Sequence, residues 1–114
     1  MFSKSRPTKG GAMAQVFHFG PYHWFGPFET GLPPGAQHSW SWGPNPGFAQ
    51  SGLLATAHPE RNPVVVEQVD RRLAVTMIQS QRTPTNDHFV HVFVRNVGSA
   101  TVNSYSLWLT VINP

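Results

Sequence analysis

The chain has no cysteine, which excludes disulfides and thiolate chemistry. Lack of disulfides fits the cytoplasm without ruling out export. Charge is scarce too: Asp, Glu, Lys and Arg make up 11% of 114 residues. Among the five acids, Glu67 and Asp70 are the one close pair, and three residues apart on an extended chain they face opposite ways. Paired-carboxylate hydrolysis therefore has no support. No window reaches the roughly 18–20 consecutive apolar residues of a membrane helix. The basic start of the chain lacks the apolar stretch of a signal peptide. The Gly-x-Ser-x-Gly elbow, the phosphate-binding loop, His-Glu-x-x-His and the dinucleotide fingerprint are all missing. These gaps point away from an enzyme and give no reason to expect a cofactor.

The pI of 10.0 overstates the basic character of the chain. Lys4, Arg6 and Lys9 lie within the first ten residues, where no acid occurs. The remaining Arg61, Arg71, Arg72, Arg82 and Arg95 are matched by Glu29, Glu60, Glu67, Asp70 and Asp87. Residues 1–12 read as a flexible basic arm and 13–114 as a single domain, with Met13 a candidate alternative start. A neutral body offers no electrostatic footprint for nucleic acid. Glu67 and Asp70 beside Arg71 and Arg72 read as surface ion pairs.

What the chain does have is ten Gly, eleven Pro, eight Phe and four Trp. That composition suits short strands and many turns, and no segment shows helical periodicity. Candidate strands are 14–19, 36–42, 51–57, 64–69, 73–79 and two long runs at the end. Turn signals recur between them, as in an all-β sandwich. Asp70-Arg71-Arg72 is compatible with a turn or with a strand running through. Between the first two strands lies Gly20-Pro21-Tyr22-His23-Trp24-Phe25-Gly26-Pro27-Phe28, an aromatic stretch punctuated by two Gly-Pro pairs. It is expected to fold over the core or to present its rings. In residues 36–42, His38, Trp40 and Trp42 share one face, and Gln37, Ser39 and Ser41 the other.

The end of the chain, His88 to Ile112, carries the strongest pattern: two alternating runs around Asn96-Val97-Gly98-Ser99-Ala100, an expected hairpin. Val90, Val92 and Val94 with Tyr105, Leu107, Leu109 and Val111 are expected to face the core. Phe89, His91, Phe93 and Trp108 are then expected on the outer face of one and the same sheet. Pro63-Val64-Val65-Val66, Val92 to Ala100 and the alternating strand through Tyr105 resemble the immunoglobulin-like β-sandwich modules of bacterial surface proteins, the CARDB type among them. The resemblance covers about half the chain. It implies an adhesion or spacing role and brings no catalytic residues.

The fold expected is thus a two-sheet antiparallel immunoglobulin-like β-sandwich. The candidate partner- or ligand-binding residues are Trp24, Trp40, Trp42, Phe89, His91, Phe93 and Trp108. Low charge and an aromatic sheet face suit a protein partner or a second copy of the chain. Tryptophans beside Asn, Gln and His also suit a glycan, the competing expectation. Six histidines raise the question of a metal. His88 and His91, three apart on a strand, face opposite ways, and His18, His23 and His38 converge only if the tertiary fold brings them together, so no metal site is expected.

Overall fold

The computed structural model describes residues 15–26, 31–60 and 69–113. The basic arm, Met13, Glu29, Arg61, Glu67 and all but the last residue of the strand expected at 64–69 lie outside the described residues. Among the described residues six strands follow the alternation in sequence: β1 (Gln15–Phe25), β2 (Gln37–Trp42), β3 (Gly52–Pro59), β4 (Leu73–Arg82), β5 (His88–Asn96) and β6 (Ser104–Asn113). They form two antiparallel three-stranded sheets, β1-β6-β3 and β2-β5-β4, so the molecule is an all-β two-sheet sandwich. No described helix is long and apolar enough to cross a membrane.

The core forms where the two central strands face each other. Val90, Val92 and Val94 of β5 are fully buried, as are Tyr105, Leu107 and Leu109 of β6, with Val111 almost so. Full burial of one such side chain contributes about 1.5–3 kcal/mol. Ile78, Val75, Leu53, Ala55 and Ala57 pack on these rows from the outer strands. Phe48, carried by a short 3₁₀ turn at Pro46–Gln50, joins the same core. The Asn45 carboxamide caps that turn by accepting from Gly47 N at 2.8 Å.

The expected terminal hairpin is corrected. β5 and β6 are consecutive, yet they belong to different sheets, and residues 97–103 carry the chain across the sandwich. Neither Asn96 nor Gly98 adopts the positive φ that a two-residue hairpin turn requires. Asn96 instead holds the crossing. It is 1% exposed; its Nδ2 donates to Leu32 O (2.9 Å) and Ala100 O (2.8 Å), and its Oδ1 accepts from Gly98 N (2.9 Å). The local hairpin lies one strand earlier, β4 to β5, where Asn86 takes φ 66° and Thr83 N donates to Asp87 O. β4 runs three residues past the strand expected at 73–79, through Gln81 and Arg82.

The aromatic Gly-Pro stretch also departs from expectation. As far as Phe25 it remains extended, so that β1 runs through Gly20-Pro21 with a one-residue bulge between Phe19 and Tyr22. Proline is tolerated because β1 is an edge strand. Gly20 sits at φ +116°, with Leu107 O only 2.7 Å from where a Cβ would stand. β1 and β2 therefore enter the sandwich as edge strands, rather than lying across its outer face as a lid.

Candidate functional site

Opposite partners on antiparallel strands share a face. Tyr22 and Trp24 oppose Leu107 and Tyr105, and His38, Trp40 and Trp42 oppose Val94, Val92 and Val90, so all five rings point inward. They meet where the β1 and β2 edges come together. Tyr22 contacts Trp40 and Trp42 at ring separations of 6.1 and 5.7 Å, and Trp24 meets His38 edge-on at 4.5 Å. Tyr105 is the hub. Its hydroxyl accepts from Trp40 Nε1 at 2.8 Å and lies 2.9 Å from His38 Nδ1. A neutral His38 accepts the Tyr105 proton there, and burial lowers the His38 pKa in favour of that neutral form.

Trp24 and Trp40, with Gln37, His38 and Ser39, also line an open groove of about 520 Å³. Two indoles, an imidazole, an amide and a hydroxyl can stack on and hydrogen-bond a ligand. Among the described residues no carboxylate lines the groove. The three tryptophans singled out from sequence in the first half, Trp24, Trp40 and Trp42, are thus brought together.

The second-half residues are not. Phe89, His91 and Phe93 lie half-buried on the outer face of β2-β5-β4, whereas Trp108 lies on the outer face of β1-β6-β3, on the opposite side of the molecule. The expectation of one shared face fails because β5 and β6 are stacked across the core, not paired side by side. His91 is braced across its sheet. Ser41 Oγ lies 2.7 Å from its Nδ1 and Gln81 Oε1 lies 2.7 Å from its Nε2, and the Phe89 ring stacks on it at 6.4 Å. Because an amide oxygen only accepts, Nε2 carries the proton and donates to Gln81. An open hollow of about 740 Å³ lies beside it, lined by Gln79, Ser80, Gln81, Arg82, His91 and Phe93.

Trp108, 37% exposed, has apolar company of another kind. Leu54 (59%) and Val16 (52%) share its outer face. At the β1 edge Phe17 and Phe19 remain 42% and 37% exposed although their strand partners, Val111 and Leu109, belong to the core. None of the ring contacts among the described residues involves either Phe. Sequence reading passed over Val16, Phe17, Phe19 and Leu54. The available signal was a first strand with no charge at all.

Two other histidines have ordinary hydrogen-bond partners: His18 Nδ1 lies 2.9 Å from Thr110 Oγ1, and His23 Nδ1 3.1 Å from Glu60 Oε2. Arg72 pairs with Asp70 at 2.7 Å with both side chains largely exposed, a pair of little energetic weight. No group of three His, Asp or Glu converges among the described residues. No family model, curated protein or solved structure matches the chain.

Proposed function

We propose that this protein is a non-enzymatic interaction module that associates with protein, foremost with copies of itself, through the β1-β6-β3 sheet. The observation that carries this reading is the β1 edge. Val16, Phe17 and Phe19 are exposed on both faces of a strand whose described residues, Gln15–Phe25, contain no charge. Edge strands are normally blunted by charge, because a row of unpaired N–H and C=O groups templates pairing with another chain. Trp108 and Leu54 extend the apolar surface across the neighbouring strands. The balance of charge beyond residue 12 removes a source of repulsion between copies. The resemblance to immunoglobulin-like modules supports the same kind of role. Sedimentation velocity over a wide concentration range tests the proposal. A growing dimer or oligomer fraction is the expected result, and a strict monomer at the highest concentration defeats it.

A second reading is supported by the groove at the β1–β2 seam, whose indoles and hydrogen-bonding groups match the apolar faces and hydroxyls of a pyranose. Titration of a glycan panel against Trp fluorescence tests it. A saturable change abolished by Trp24→Ala is expected, and silence across neutral and acidic sugars rejects it.

A further inference from the structure

We infer that two copies join through antiparallel β1–β1 pairing centred on Phe17, making one continuous six-stranded sheet. The inference rests on the self-association reading above and adds the partner, the edge and the register. Gly26 N donates to Asn103 O, and Glu60 N donates to Ser104 O. Antiparallel ladders alternate the direction of their backbone groups. Odd-numbered residues of β6 therefore bond β1 and even-numbered ones bond β3. Gln15, Phe17 and Phe19, opposite Asn113, Val111 and Leu109, turn their backbone toward β6. Val16 and His18 turn theirs outward, to an edge that no described strand occupies.

A two-fold pairing must match these outward groups with each other. Placing Val16 opposite His18 of the second copy uses the N–H and C=O of both residues in both copies. Centring on His18 instead carries Val16 onto the Gly20-Pro21 bulge. Centring on Val16 pairs only that residue within the described strand. In the favoured register Phe17 faces its own copy, and Phe19 faces Gln15. The half-open Phe rings of both copies then lie side by side on the core side of the joined sheets. Such an interface is isologous and closes on itself.

Charge and area set its strength. The strand carries no charge, so no like charges meet across the axis. An enclosed Phe buries about 150–250 Å², so 42% and 37% exposure leave on the order of 60–100 Å² per ring to be covered. Together with Val16 and the strand backbones, the buried total stays below the roughly 1,200 Å² of stable complexes. The dimer is therefore weak and concentration-dependent.

The absence of cysteine makes the test clean. The full chain carrying Phe17→Cys is oxidised beside a Gln79→Cys control, whose thiol would sit exposed on β4 of the other sheet. The expected result is a disulfide-linked dimer from Phe17→Cys well ahead of the control. A mixture of Gln15→Cys and Phe19→Cys proteins, which keeps Phe17, is expected to cross-link as the mixed pair in preference to either alone. Val16→Lys, at an exposed site, is expected to weaken association about tenfold with unchanged thermal unfolding. If the chain sediments as a dimer while neither cross-link beats its control, or Val16→Lys associates like the parent, β1 pairing is overturned and self-association stands. If the unmodified chain stays monomeric at every concentration, both fall. Association seen only after deletion of residues 2–12 assigns the edge to the chain's own beginning and likewise overturns the pairing.

Discussion

Trp40 Nε1 donates a 2.8 Å hydrogen bond to the hydroxyl of Tyr105, a side chain with no exposed surface at all. One buried phenol thus ties β2 of one sheet to β6 of the other. Tyr105→Phe preserves the ring and deletes the oxygen, leaving the Trp40 indole N–H and the His38 Nδ1 without that partner. The expected loss of stability is about 1–3 kcal/mol in urea unfolding. Retention of full stability would show that solvent satisfies both groups from the open side of the seam.

The same cluster predicts a pH dependence. Burial lowers the pKa of His38 below 6.5 in the folded protein, so the unfolded chain takes up its proton first as the medium is acidified. Stability is therefore complete above about pH 6.5 and is lost as pH falls through the folded value. Burial raises the Tyr105 pKa above 10.0, the hydrogen bond from Trp40 opposing it. Stability is complete below about pH 10 and is lost as pH rises through the folded value. Urea midpoints across pH should show His38→Gln flattening the acid limb and Tyr105→Phe the alkaline limb.

Asn96→Ala should be among the most damaging polar substitutions. It removes the side-chain partner of Ala100 O and Gly98 N, and the second partner of Leu32 O beside Val102 N, around a position 1% exposed. A cost of about 3 kcal/mol is expected, with the 97–103 crossing losing amide-exchange protection before either sheet does. Asn96→Asp should cost no less, since a carboxylate cannot donate to the two carbonyls.

Two tryptophans should separate packing from surface. Trp40→Ala is expected to cost about 3 kcal/mol, because its ring packs against the core and its N–H is bonded to Tyr105. Trp108→Ala, on the outer face of the central strand, should cost about 1 kcal/mol or less while weakening self-association. A stability loss at Trp108 equal to that at Trp40 would remove the outer face from the interaction surface.

Gly20→Ala is expected to cost about 2 kcal/mol, because φ +116° is unfavourable for alanine and Leu107 O already occupies the approach. The loss should appear in thermal unfolding and concentrate in exchange at residues 15–19, beyond the bulge.

Side-chain alternation is a local property, and it is where sequence reading succeeds here. The inward rows of Val90, Val92, Val94 and of Tyr105, Leu107, Leu109, Val111 were legible because a strand with one buried face must alternate. The common face of His38, Trp40 and Trp42 was legible for the same reason. Gly20-Pro21 misled as a breaker, because proline interrupts a central strand yet is tolerated on an edge, and edge position is not a local property. Asn96 and Gly98 misled as a hairpin turn because the Asn96 carboxamide is spent on the crossing and on Leu32.

By itself, then, the sequence determined the class of the fold, the identity of most strands and the inward or outward sense of their side chains, since these follow from period-two patterning and composition. Tertiary structure alone decided which strand lies beside which. Alternation says that a face is buried and never names what buries it, so β5 and β6 could equally have paired or stacked. Stacking divided the expected aromatic face between two opposite surfaces. It also left Phe17 and Phe19 open at an edge, on a strand that the sequence had marked only by its lack of charge.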